Sequence, residues 1–224
     1  VPKPNFSRLS KACEVSISHR NIIGLSKDLE VTIQSLQRLR LGMLNPQQYT
    51  FPMTDSKGHD IGIQIRTKGS KKFCVPGSRL GLFMPKGLSG NGPLLITEGA
   101  SDCLAGLDLS FDCIGRPNFL ANSQMVCDAC KGRGEIIVVS DNDEVGLKGA
   151  LELSETLASH RHQVKLITPP DGIKDLRQWK SQGLNQNVLS DIIQETQTIT
   201  GKSRRGTRSA IQEERAHRQA TTSE

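Results

Sequence analysis

The sequence predicts an α/β protein: a sheet of mainly parallel strands flanked by helices, preceded by a small basic β-rich unit. Three observations lead there. From residue 93 onward short apolar runs alternate with amphipathic stretches of helical length, the pattern of successive βαβ units. Two of the runs end in acid, LLITEG placing Glu98 after Leu94 to Thr97 and EIIVVSDND placing Asp141 and Asp143 after Ile136 to Ser140. Ahead of them, residues 49–84 combine alternating apolar positions with turn signals and a dense set of lysines and arginines.

Taken in order, residues 1–48 form a helical N-terminal segment. Leu29, Ile33, Leu36 and Leu39 recur at helical spacing between Asp28 and Leu41, predicting one amphipathic helix stopped by Gly42. Residues 49–88 form the β-rich unit: Ile61, Ile63 and Ile65 alternate, and SKGHD and TKGS read as turns. SGNGP at 89–93 reads as a linker. The main domain, 93–197, then runs strand 94–97, helix 100–109, strand 111–114, the loop GRPN and a helix before Cys127. Strand 135–140, helix 146–160 with Leu147, Leu151 and Leu157 inward, strand 164–167, and helices at 175–182 and 186–196 complete it. Residues 198–224 hold Gly, Ser, Thr, Arg and Glu with few apolar side chains, the composition of a disordered basic tail.

The chain has 224 residues and a formal charge of +6. No apolar run is long enough to span a bilayer, and no signal peptide is visible, so a cytoplasmic protein without a membrane partner is expected. Much of the positive charge falls in 57–86 and 198–224, away from the acids, and suggests a polyanionic partner. Six cysteines without a targeting segment read as reduced thiols. Cys127 and Cys130, in CDACKGRG, have the two-ligand spacing of a zinc knuckle. A structural zinc needs four ligands, and Cys13, Cys74, Cys103 and Cys113 offer no second CxxC; a loop with incidental cysteines is the preferred reading.

Carboxylates at the carboxyl ends of neighbouring parallel strands face the crevice where such sheets bind ligands. Hard oxygen donors in that position suit Mg²⁺, which takes one or two protein carboxylates and completes its shell with water and phosphate oxygens. The pair of motifs therefore points to phosphodiester chemistry.

With those motifs in view, the chain resembles the toprim domain shared by primases, topoisomerases and certain nucleases. EGASD supplies Glu98 and Asp102, SDNDEVG supplies Asp141, Asp143 and the following Gly146, and PPDGIKDLRQW supplies Lys174 and Asp175. FPMTDSKGHDIGIQIRTKGSKKF, followed by GLFMP, is similar to the basic subdomain ahead of toprim in bacterial and phage-type primases and primase-helicases. The likeness covers roughly residues 40–183. The fold it implies is toprim-like, and the activity is that of a DNA primase core making short RNA primers on single-stranded DNA during replication.

The resemblance implies Glu98, Asp141 and Asp143 as catalytic residues and Mg²⁺ or Mn²⁺ ligands, with Asp102 and Asp175 as outer ligands. For Asp102 a carboxylate near a helix N-terminus is an equal reading. Arg177 stands where the bacterial replicative primase has a further acid. Arg66, Lys68, Lys71, Lys72, Arg79 and Lys174 would bind template and nucleoside triphosphates. Trp179 is read as packing the closing helix, and Tyr49, upstream of toprim, is a poor topoisomerase nucleophile.

Neither a complete zinc ribbon nor a Walker A motif occurs in these 224 residues; for a primase, the expectation is either a fragment of a longer chain or dependence on a partner, a replicative helicase. The alternatives to a primase are a toprim nuclease and a non-catalytic nucleic-acid-binding module of recombination or repair.

Overall fold

Residues 4–118 and 123–199 are described by a computed structural model, and two sheets organise them. The first is an antiparallel meander, β1 (Gly42–Asn45), β2 (Gln48–Thr54), β3 (Asp60–Thr67) and β4 (Lys72–Cys74), in that spatial order. Register pairs Tyr49 with Arg66 and Phe51 with Gln64 across β2 and β3, and Arg66 with Lys72 across β3 and β4. Side chains alternate across a strand, so Tyr49, Phe51, Arg66 and Lys72 share one face. Tyr49, Phe51 and Met53 carry that face into the main core with Leu104 and Ile137.

The second sheet is built from β5 (Leu94–Glu98), β6 (Asp112–Arg116), β7 (Glu135–Val139), β8 (Gln163–Ile167) and β9 (Thr198–Ile199), in the order β6-β5-β7-β8-β9. All pairings are parallel except β8 with β9. Both faces are apolar, as parallel sheets require. Leu95, Ile137 and Val139 point to one core, whereas Leu94, Ile96, Ile136 and Val138 point to the other. On the first face lie α4 (Gly99–Asp108), α7 (Leu176–Ser181) and α8 (Gln186–Glu195); on the second lie α5 (Ser123–Ala129) and α6 (Glu144–Ser159). The chain runs from β5 outward to β6 and then back past β5 to β7, so the topological switch falls between β5 and β7. That is where an open α/β sheet leaves a crevice.

Leu82 and Phe83 join the two sheets: Thr54 bridges to Leu82, and Phe83 exchanges backbone hydrogen bonds with Gly115 of β6. The expected linker at 89–93 is anchored rather than loose. Asp112 accepts the Ser89 and Gly90 N–H groups at 2.9 Å each and pairs with Arg133 at 2.6 Å.

Several boundaries depart from the sequence expectation. The single helix expected over 28–41 is two, α2 (His19–Leu29) and α3 (Ile33–Arg38), following α1 (Phe6–Ser16). Glu30 turns left-handed at φ 54°, and Thr32 caps α3. Asp108 of α4 holds that corner through the Thr32 N–H and the Thr32 and Ser35 hydroxyls. The antiparallel sheet begins at Gly42 rather than Tyr49. In α6 the buried side chains are Ala150, Leu153, Ser154 and Leu157, with Leu147 and Leu151 at the margin. Thr198 and Ile199, placed in the tail by composition, add the edge strand β9; the remainder of that expected tail lies outside the described residues. Among the described residues no helix is long and apolar enough to cross a membrane.

Candidate active site

Glu98 ends β5 and is the N-cap residue of α4, yet its side chain makes no capping bond, leaving the carboxylate to the crevice. Gly99 makes the sharp exit from the strand at φ +83°. Burial raises the Glu98 pKa above its ordinary value; Arg116 opposes that, Asp143 reinforces it, and Lys72 and Lys174 oppose it.

Asp141 and Asp143 follow β7. Burial, then repulsion from Glu98 and Asp175, pushes Asp141 up to about 6. Asp143 caps α6, its Oδ1 accepting the Gly146 N–H at 2.7 Å. Gly146 is also pressed against Asp141: a Cβ there would stand 2.7 Å from the Asp141 Cβ. The spacing DNDEVG is thus a packing requirement as well as a charge pattern. Asn142, between the two acids, donates through Nδ2 to the carbonyls of Pro170 and Ile173, while its N–H donates to the Lys174 carbonyl. It ties the second acidic motif to the loop carrying Lys174 and Asp175.

Asp175 caps α7 through the Gln178 N–H at 2.7 Å. Asp102, in the first turn of α4, reaches the same helix end, its Oδ1 accepting the Arg177 N–H at 3.0 Å. Asp102 is buried, and burial, then the Asp175 charge, drives its pKa up against that bond. Two carboxylates therefore hold the start of one short helix.

The antiparallel sheet presents cations to these acids. A Cβ at Gly99 would lie 3.8 Å from Lys72 Nζ and 4.0 Å from Asp102 Oδ2, so Lys72 reaches from β4 to the start of α4. Arg66, its cross-strand partner, is half-buried beside it. Lys174 is exposed, with its charge felt by both Glu98 and Asp141. Lys68 and Lys71 occupy the exposed β3–β4 turn. Arg79 is not brought to the crevice: its N–H bonds to the Ile61 carbonyl, at the opposite end of β3 from Arg66.

Arg116 was not expected. β6 extends two residues past Ile114, and Arg116, 3% exposed, lies in register with Glu98 on the adjoining strand. The signal was a basic residue two positions after the apolar Ile114, placed by sequence in the loop GRPN.

The residues around the crevice are hard oxygen donors whose mutual repulsion and burial raise Asp141 and Glu98, a charge balance that a divalent cation would relieve. They surround the crevice rather than form a closed cage; among the described residues no three His, Cys, Asp or Glu side chains converge on a metal-sized point. That arrangement fits Mg²⁺, which completes its shell with water and phosphate oxygens. Cys127 and Cys130 lie elsewhere, buried with Val126 and Leu153 under α5 and α6. Burial pushes the Cys130 thiol up to about 12.

Neither a protein-family model nor a curated protein sequence matches the chain. Solved structures do. The zinc-binding and RNA polymerase domains of Aquifex aeolicus primase superpose with a TM-score of 0.72 at 16% identity, over 87% of this chain and 60% of that one. A DnaG primase catalytic domain bound to single-stranded DNA superposes with 0.68 at 14% identity, over 86% and 78%. The primase fragment of the bacteriophage T7 primase-helicase gives 0.56 at 16% identity, over 74% and 72%. The chain thus has the fold of the DNA primase catalytic core, a toprim-type parallel sheet with an antiparallel basic sheet packed ahead of it.

Proposed function

We propose that the chain is the catalytic core of a DNA primase, a nucleotidyltransferase that joins nucleoside triphosphates into short RNA primers on single-stranded DNA. The observation that carries this reading is the meeting of opposite charges at one crevice. Glu98, Asp141 and Asp143 come from the switch point of the parallel sheet, and Lys72 and Arg66 come from the facing antiparallel sheet. Cations beside the acids suit a triphosphate as well as a nucleic-acid backbone, which polymerisation needs together. The similar fold of a primase domain bound to single-stranded DNA supports the same assignment.

Asp141, Asp143 and Glu98 would hold Mg²⁺ or Mn²⁺, with Asp102 and Asp175 behind them. When bound, such an ion supplies Lewis-acid charge that lowers the pKa of the attacking 3′-hydroxyl and neutralises the departing pyrophosphate. The chain's own groups do the rest. Lys72 and Lys174 place positive charge beside the triphosphate. Where it is not itself a ligand of the ion, Glu98 is placed to act instead as the base that takes the hydroxyl proton as the 3′-oxygen attacks the α-phosphorus and the bond to pyrophosphate breaks. Template phosphates lie on Arg66, Lys68 and Lys71, giving salt-dependent, sequence-tolerant binding.

The test is synthesis by the purified chain with single-stranded DNA, Mg²⁺ or Mn²⁺ and labelled NTPs. Short RNA is expected, and Asp141→Asn is expected to abolish it while leaving DNA retention largely intact. Full activity in Asp141→Asn would refute the site, and shortening of the DNA without NTPs would replace the primase reading with a nuclease.

A further inference from the structure

β7 and β8 remain joined after their ladder ends. Val139 and Ile167 form the last register pair. Ser140 then donates its N–H to the Ile167 carbonyl at 3.0 Å, and its hydroxyl meets that of Thr168 at 3.0 Å. Asn142 takes over beyond them. Its Nδ2 donates to the carbonyls of Pro170 at 3.0 Å and Ile173 at 3.1 Å, and its N–H donates to the Lys174 carbonyl at 2.6 Å. The Ile173 N–H closes the same turn onto the Pro170 carbonyl at 3.1 Å. A primary amide brings two N–H donors, and here both go to one turn.

The Lys174 backbone is thereby gripped from both sides. Its carbonyl is held by Asn142, and its N–H donates at 2.8 Å to Gln178 Oε1, a side chain reaching back from α7. Asp175, the next residue, accepts the Gln178 N–H at 2.7 Å, so the turn and the helix start form one unit. The Lys174 side chain stands outside this network. It is exposed, and among the described residues its ammonium closes no ion pair within 4 Å. Its charge nevertheless acts on both Glu98 and Asp141. A cation on a fixed backbone is thus presented to the acids without being neutralised by them.

We propose that Asn142 is a positioning residue: together with Gln178 it sets the Lys174 cation against the phosphates of a nucleotide bound at the acids. The acids and the cation then move as one body, because the residue between Asp141 and Asp143 carries the turn that bears Lys174. A residue without a side-chain donor at 142 would leave the Pro170 and Ile173 carbonyls to water and release that turn. The inference rests on the nucleotidyl-transfer reading for the identity of the ligand; the mechanical link between Asn142 and Lys174 does not.

Equilibrium binding separates this role from chemistry. ATP is titrated calorimetrically with Mn²⁺ and without template into the wild type, Asn142→Ala, Gln178→Ala, Lys174→Ala and the double variant Asn142→Ala/Lys174→Ala. Mn²⁺ affinity is read separately by electron paramagnetic resonance, and hydrogen exchange of residues 170–175 by mass spectrometry. The Asn142 bonds lie at a partly exposed turn, so the freed carbonyls reach water and the fold should persist, which circular dichroism checks. Asn142→Ala and Gln178→Ala are each expected to weaken ATP binding roughly three- to tenfold and to speed exchange in 170–175, with Mn²⁺ affinity changed less than about twofold. The double variant should bind ATP no more weakly than Lys174→Ala, since Asn142 acts through Lys174. In synthesis the loss should fall on KM for the nucleotide rather than on kcat. Losses that multiply in the double variant would overturn the inference. So would an Asn142→Ala that weakens Mn²⁺ binding and leaves ATP affinity at fixed Mn²⁺ occupancy unchanged, which would assign Asn142 to the acids instead. ATP bound by the wild type without primer synthesis would defeat the primase reading and leave the positioning role standing; no ATP binding would defeat both.

Discussion

Asp102 on α4 accepts the backbone N–H of Arg177 on α7 through Oδ1 at 3.0 Å. The bond spans 75 residues of sequence and joins the first acidic motif to the last. It gives Asp102 a mechanical task, and Asp102→Asn separates that task from metal binding because an amide oxygen still accepts the N–H. Asp102→Asn is expected to retain the stability of the wild type and to lose less than tenfold in primer synthesis. Asp102→Ala strands the buried N–H and should cost about 1–2 kcal/mol in urea denaturation. A loss in Asp102→Asn as deep as in Asp141→Asn would make Asp102 a direct ligand instead.

Gly146 serves both acids of the second motif, donating its N–H to Asp143 and leaving room for the Asp141 side chain. In Gly146→Ala the new methyl group would have to displace Asp141 or the start of α6. Overpacking of this kind costs about 1–3 kcal/mol. Primer synthesis is expected to fall at least tenfold, with a higher Mg²⁺ concentration needed for half-maximal rate. An unchanged Mg²⁺ titration would separate Gly146 from the acid site.

What the sequence made legible follows from how local each signal is. Glu98, Asp141 and Asp143 stood out because each ends or follows a strand buried on both faces, and such strands read as continuous apolar runs. The break between α2 and α3 was hidden because its stabilising partner, Asp108, comes 76 residues after Thr32. Arg116 was hidden for a different reason: strand ends carry weak signals, and a two-residue extension of β6 turned a loop arginine into the neighbour of Glu98. Asn142 carried no local signal, since its bonds to the Pro170, Ile173 and Lys174 carbonyls reach a loop placed by another strand.

The antiparallel register divides the basic residues that composition had grouped together. Lys72 reaches the start of α4, whereas Arg79 lies beside Ile61 at the other end of β3. Lys72→Ala is expected to reduce primer synthesis at least tenfold and Arg79→Ala by less than twofold. Lys68→Ala and Lys71→Ala should each lower the slope of log affinity for single-stranded DNA against log salt by about 0.7. Equal effects from Lys72→Ala and Arg79→Ala would show that bulk charge, not position, governs binding.

Asp112 and Asp108 give the stability its dependence on acid. Burial would raise the Asp112 pKa, but the N–H of Ser89, the guanidinium of Arg133 and the N–H of Gly90 together hold it below the ordinary value. For Asp108, bonds from Lys180, Ser35 and Thr32 likewise outweigh burial. A carboxylate with a lowered folded pKa binds protons less readily than its unfolded counterpart. Its contribution is therefore complete above the unfolded pKa, about 3.9, and is lost as pH falls through the folded pKa. The contribution of these two groups is constant between pH 5 and 7, on the order of a few kcal/mol, and its loss is expected as a decline in urea-denaturation stability below about pH 4. Asp112→Asn, which keeps the shape but removes the charge facing Arg133, should be less stable at pH 7 by about 3 kcal/mol and should flatten part of the acid decline. An acid limb as steep in Asp112→Asn as in the wild type would place the titrating group elsewhere and reduce the Ser89–Asp112–Arg133 clamp to a neutral contact.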